Sequence, residues 1–173
     1  ESGRTTAHLS NAMDDRIYVL EHVHGEEGAR LVVESHGPAV DRIDRVVREE
    51  GIDCDFQRVD GFLFLGGGDS EKEHDEELVA AHRAGLAGVT KLPRVPNVEH
   101  DLGPCLRFPD QAQFHVLKYL AGLTRAIVLG GGRIYCDTHV ASVEGGSPCK
   151  VKTSTKHTIT ADAVCVCTNA SIT

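Results

Sequence analysis

No stretch of this chain is apolar for the roughly 20 residues that a membrane-spanning helix requires, so no membrane is expected as a partner. Basic residues are scarce as well. Eighteen Lys and Arg stand against 26 Asp and Glu, a net charge of −8 with His neutral. A phosphate backbone is gripped by cations that displace its counterions, and this balance argues against nucleic acid as a partner. The opening Glu1–Thr6 has neither the basic nor the apolar stretch of a signal peptide. No Gly-x-Ser-x-Gly element marks a hydrolase nucleophile. No Gly-x-Gly-x-x-Gly follows a strand: Gly66–Gly68 leads into a charged helical pattern, Gly130–Gly132 lies between a helix and a strand, and both read as turns.

Cys-x-x-Cys is also missing among the six cysteines, Cys54, Cys105, Cys136, Cys149, Cys165 and Cys167. In a chain of this length they read as reduced thiols, and a cytoplasmic location is expected. Titrating the denatured, unreduced protein should count six. The histidines do not suggest a metal. His22 and His24 are two apart, which turns their rings to different helix faces. His74, His82 and His100 have no partners at zinc spacing, so no metal site is expected.

What is present is ordinary globular material, with 40% hydrophobic and 25% charged residues, enough to enclose a core. Ile17 and Leu20 set a helix over Met13–His24, with Ser10 or Asn11 as its cap and Asp14 and Asp15 at its positive end. A second helical pattern runs from Gly25 to about Glu50 on Val40, Ile43 and Val47, and Gly51 is its C-terminal glycine. Gly37-Pro38 suggests a kink or a break within it. Asp60-Gly61, between the strand-like runs 53–59 and 62–65, is a hairpin signal.

Asp69 and Ser70 open a charged helix ending near Gly85, and 86–104 reads as an irregular connection. Short strands are expected at 105–108 and 112–114. A helix over Leu117–Ile127 stops at Gly130–Gly132. Strands follow at 133–136, 140–144 and 150–153, then from Thr158 into 163–167. This order implies an α+β fold with a mainly antiparallel sheet. The apolar Ala163–Cys167 reads as a strand buried on both faces.

Gly131-Gly-Arg-Ile-Tyr135, Thr138-His-Val140, Val143-Glu-Gly145 and Ile159–Asn169 together resemble the D-amino-acid oxidase-like (DAO) family of FAD-dependent oxidoreductases. Ser2-Gly-Arg-Thr-Thr-Ala-His-Leu9 is similar to the segment that contacts the flavin in that family. The resemblance runs in order along nearly the whole chain. It is nearest to bacterial-type members, some of which add a C-terminal Rieske domain. It departs from the pattern at His115, where members often have Pro, and at Asn169, where a glycine is usual. Ser154–His157 replaces the usual Asp-Gly turn.

The resemblance implies an internal fragment of a two-domain enzyme that oxidises a small-molecule amine or amino acid by hydride transfer to FAD. Within it, 1–50 would be the flavin-contacting loop and helices. Residues 51–115 would be part of the substrate domain, and 116–173 the helix and meander of the FAD-binding domain. Ser2, Gly3, Arg4, Thr5, Thr6 and Ala7 are the implied flavin contacts. The backbone of Val140 would meet the adenine, and Thr168 and Asn169 sit at a strand end. No catalytic acid or base can be named. The isolated piece, lacking the glycine-rich pyrophosphate turn, should hold FAD no better than about millimolar, roughly −4 kcal/mol. The rival reading, favoured by the missing fingerprint, is a self-contained, cofactor-free α+β binding or structural domain.

Overall fold

The computed structural model describes residues 2–67 and 70–168. The fold is α+β, and the chain divides into two compact units, Glu1–Ala126 and Ile127–Thr173.

In the first unit a short strand β1 (His8–Leu9) precedes the long helix α1 (Ile17–Glu49). Strand β2 (Gln57–Phe64), helix α2 (Glu71–Arg83), strand β3 (Thr90–Leu92) and strand β4 (Cys105–Gln113) follow, and helix α3 (Val116–Leu129) begins in this unit. All pairing is antiparallel and centred on β4, with β2 on one side and β1 and β3 on the other. The core is aliphatic and small. Ile17, Leu20, Ala29 and Val33 of α1 meet Ala80 and Ala81 of α2, with Leu106 and Phe108 of β4 beneath. The alanines let the two helices approach closely.

The helices begin and end largely where local chemistry dictates. Ser70 caps α2 in a reciprocal capping box with Glu73. After α1, Gly51 takes φ +57°, donating to Arg48 O at 3.3 Å while Ile52 N donates to Val47 O at 2.9 Å. This is the Schellman pattern, which satisfies carbonyls the helix leaves open. Gly131 and Gly132 repeat it against Val128 O and Ile127 O after α3.

The break in α1 falls at Gly25, where φ is +75° and ψ is 165°, a region closed to other residues. It does not fall at Pro38, which the helix contains. The helix also starts at Ile17 rather than Met13. Its expected caps are engaged elsewhere: Ser10 Oγ accepts from Ala12 N at 3.0 Å, and Asn11 N donates to Gln111 Oε1 at 3.0 Å.

The sheet corrects three readings. Asp60-Gly61 is not a hairpin; β2 runs straight through it, with a bulge against β4 between Val59 and Gly61. Arg107, 47 residues away, fixes Asp60 through Nε at 2.7 Å and Nη2 at 3.0 Å. Long-range pairing thus overrides the local turn signal. The two short strands expected at 105–108 and 112–114 are one strand, β4, carried past Pro109 by Asp110 at φ +60°. The connection 86–104 also contains β3.

The second unit is an antiparallel meander of β5 (Val140–Glu144), β6 (Cys149–Thr153) and β7 (Thr158–Ala161). The turn after β6 is closed by hydroxyls, with His157 N donating to Thr153 Oγ1 at 3.1 Å and Thr155 Oγ1 3.0 Å from it. The expected strands at 133–136 and 163–167 do not form. Ala163–Cys167, expected among the most buried, is largely exposed, with Val166 at 49%. A strand buried on both faces needs neighbours on both sides, and no described segment pairs with it.

Candidate functional site

The N-terminal loop is built by short-range bonds. Ser2–Arg4 makes one 3-10 turn. Thr5 Oγ1 then accepts from Ala7 N at 3.2 Å, and Ala7 takes φ +56°. That turn feeds the chain into β1, whose His8 and Leu9 lie opposite Gln113 and Ala112 of β4. The loop is thereby held against the end of the central strand.

A cleft of about 400 Å³ lies there, within the size range usual for ligand sites. Gly3, Thr5, Thr6 and Ala7 form part of its lining, and the sheet contributes Gln57 and Gln113. These two glutamines are directly opposed in the β2–β4 register, and Gln113 Nε2 donates to Gln57 Oε1 at 3.4 Å. However the two amides are oriented, one such bond leaves a carbonyl and N–H groups free to face a ligand. Asp55, Phe114 and the start of α3, His115–Leu117, complete the lining.

The start of α3 is fixed from several directions. His115 N donates to Cys54 O at 2.7 Å, and His115 Nδ1 accepts from Lys118 N at 3.4 Å, which caps the helix. Lys118 Nζ reaches Asp55 Oδ2 at 2.7 Å. That hydrogen bond and charge hold the Asp55 carboxyl below the usual carboxylate range and raise the Lys118 ammonium. Asp55 is therefore a fixed anion at the cleft edge. Burial pushes the Cys54 and Cys105 thiols up, so neither is a poised nucleophile.

A second cavity, about 200 Å³, lies under the segment that follows β1. It is lined by Ser10, Met13 and Arg16 of that segment, by Gln111 of β4 and by Glu77 of α2. Gln111 is fully buried and bonded to Asn11 through both its amide nitrogen and its oxygen. Glu77 is 3% exposed, and its Oε2 accepts from Tyr18 N at 3.2 Å. Burial raises the Glu77 carboxyl, while the backbone N–H groups of Ile17 and Tyr18 pull it back down.

Of the residues singled out from the sequence, Gly3, Thr5, Thr6 and Ala7 line one cleft together; Ser2 and Arg4 lie in the adjoining turn. Val140 opens β5 opposite Thr153, and Thr168 follows β7 in irregular backbone. Both belong to the second unit, and Asn169 lies outside the described residues. Sequence reasoning passed over Gln57, Gln113, Asp55 and Glu77. The signal for Glu77 was available: it shares a helical face with Ala80, Ala81 and Ala84, and a carboxylate on an apolar face is unusual. Among the described residues no group of three or more His, Cys, Asp or Glu could hold a metal ion, and no helix is long and apolar enough to cross a membrane.

Comparison with known proteins bears on this geometry. A family model described as FAD dependent oxidoreductase (DAO) matches residues 1–173. A Bacillus subtilis protein named for a Rieske 2Fe-2S iron-sulfur centre, YhfW, is 33% identical over 95% of this chain, which covers 33% of it. Gamma-glutamylputrescine oxidoreductase of Escherichia coli is 27% identical over 98% of this chain, which covers 40% of it. The chain thus spans two fifths or less of the length of these relatives. Among solved structures, glycine oxidase from Geobacillus kaustophilus shares the fold at a TM-score of 0.70 and 15% identity, over 94% of this chain and 43% of its own. L-amino acid deaminase from Proteus myxofaciens does so at 0.67 and 14%, over 94% and 36%.

Proposed function

The chain belongs to the DAO family of FAD-dependent oxidoreductases, and from that premise we propose that the whole protein oxidises an amine or amino acid at a flavin held partly by these residues. The observation that carries the reading is the shared cleft. The loop that the family resemblance assigns to the flavin, and the strand ends assigned to the substrate domain, line one space.

The donor set suits the cofactor. Thr5 and Thr6 hydroxyls and the backbone N–H groups of Gly3–Thr6 would hold the polar edge of the flavin, with Ala7, Ser2 and the Arg4 guanidinium beside them. By the family resemblance Val140 would offer its backbone to the adenine, and Thr168 and Asn169 would be further cofactor contacts. Bound FAD would accept a hydride from the substrate carbon, and the protein's task is position and electrostatics. Gln57 and Gln113 would present hydrogen-bonding groups to the substrate. Asp55, kept ionised by Lys118, would add a fixed hydrogen-bond acceptor at the cleft edge.

In this reading residues 1–50 carry the flavin-contacting loop and helices. Residues 51–115 form part of the substrate domain, and 116–173 supply the helix and meander of the FAD-binding domain. The YhfW likeness supports a C-terminal Rieske domain in the parent. A cytoplasmic location would keep the six cysteines reduced.

The test is anaerobic reduction of the full-length parent with a panel of amines and amino acids, followed by loss of the oxidised flavin absorbance. Bleaching by at least one of them is expected. A flavin reduced by none, yet readily by nicotinamide dinucleotides, would point to a different reaction.

A further inference from the structure

Helix α1 lacks a cap of its own. Its N-cap residue is Arg16, which makes no side-chain capping bond. The first N–H groups of a helix have no partner within it, and a helix start without one is costly when buried. Here Ile17 is 1% exposed. The partner arrives from another helix: Glu77 of α2, 59 residues away in sequence, accepts from Tyr18 N at 3.2 Å. Ile17 N bonds to the same carboxylate.

Between β1 and α1 the chain is also pinned by the Asn11–Gln111 pair on β4. Ser10–Arg16 is thus a strap fixed at two points, both buried and both polar. The strap is continuous with β1 and with the loop Gly3–Ala7. Nothing in the proposed oxidation uses Glu77. A neutral glutamine would accept the same N–H bonds without the desolvation of a charge. A buried carboxylate in that position therefore suggests more than capping.

We propose that Glu77 is a positioning residue for the flavin-contacting loop, acting through the start of α1 and the strap Ser10–Arg16. The proposal rests on the cleft being the flavin site. An ionised Glu77 draws the α1 N-terminus and its partial positive charge toward α2; a protonated one holds it less firmly. Around it stand Arg16 at the end of the strap and Tyr18 and Glu21 on α1. Asp14 lies on the strap, His8 lines the same cavity, and Glu73 and Glu76 flank it on α2. Burial raises the Glu77 carboxyl, and the backbone N–H groups of Ile17 and Tyr18 lower it.

The experiment uses the full-length parent as wild type, Glu77→Gln, Glu77→Ala and the control His8→Gln. Two quantities are read between pH 5 and 8: hydrogen exchange over the peptide spanning β1 and the first turn of α1, and the FAD dissociation constant. In Glu77→Ala the exchange should quicken at least fivefold and FAD should bind at least fivefold more weakly. Glu77→Gln should restore both to within about twofold at its best pH while flattening the pH dependence. His8→Gln should keep that dependence.

Exchange at β1 that is unchanged in Glu77→Ala overturns the proposal, as does faster exchange with an unaltered FAD constant. So does a pH profile shared by wild type and Glu77→Gln. A parent that binds no FAD at all, while β1 still loosens in Glu77→Ala, refutes the flavin site and leaves Glu77 as the anchor of the strap alone. If Glu77→Ala does not fold, Glu77→Gln and its pH profile decide the matter.

Discussion

Gly122 lies in the middle of α3, where alanine is ordinarily worth about 1 kcal/mol more than glycine. Gly122→Ala should nevertheless destabilise this protein. A Cβ built there would stand 2.5 Å from Ile52 Cγ2, 2.7 Å from Cγ1 and 2.9 Å from Cδ1. Ile52 cannot step aside freely: it is 5% exposed and its N–H closes the Schellman turn after α1. Overpacking of this kind costs about 1–3 kcal/mol, so the net loss should be about 1 kcal/mol, or roughly 2–4 °C in Tm for a chain of this size.

The sign should reverse when Ile52 is removed. In an Ile52→Ala background, itself destabilised by about 2–5 kcal/mol, the clashing atoms are gone and Gly122→Ala should gain its helix propensity. A urea-unfolding double-mutant cycle measures this, with an expected coupling of about 2 kcal/mol. Gly122→Ala stabilising the wild-type background would refute the argument that Ile52 anchors α3 and, with it, the Val116–Leu117 wall of the cleft.

Gly61→Val should be destabilising by about 1–3 kcal/mol, because a Cβ there meets the buried Gln111 Cγ at 3.1 Å and strains its bonds to Asn11; loss of exchange protection at Asn11 N would report it. Lys118→Met should flatten the acid limb of stability against pH. The Asp55 carboxyl lies below its unfolded value, so its contribution is present above the ordinary carboxylate range and is lost as pH falls through the folded value. An unchanged acid limb in urea melts would show the Asp55–Lys118 pair to be inert.

How much of this was legible in the sequence depended on the range of the interactions. Helix α2 was legible because the two members of its capping box, Ser70 and Glu73, are only three positions apart. Gly51 was legible for the same reason. The β5–β7 meander was legible because its strands follow one another directly in sequence. Asp60-Gly61 was misread because its turn signal is local, whereas the partner that keeps β2 straight, Arg107, is distant. The start of α1 was misplaced because its cap is Glu77 rather than a neighbour in the chain. Ala163–Cys167 has the composition of a buried strand, and composition cannot supply the flanking strands such a segment needs. In the site, the residue types of Gly3–Thr6 fit either an anion-holding cluster or a polar loop before a helix, and the family resemblance favoured the first. Gln57 and Gln113 become a pair only through the β2–β4 register.

The central claim is that Gly3–Ala7 holds part of a flavin in the parent protein. The most direct measurement is the FAD content and affinity of the full-length parent, wild type against an Arg4→Ala, Thr6→Val double variant, by absorbance of the purified protein and by fluorescence titration. Losing one charge-assisted and one neutral hydrogen bond, about 1.5–3 and 0.5–1.5 kcal/mol, predicts FAD bound by the wild type and binding weakened at least about tenfold in the variant. A parent that purifies without flavin and takes none up, or a double variant that binds FAD as tightly as the wild type, would contradict the account.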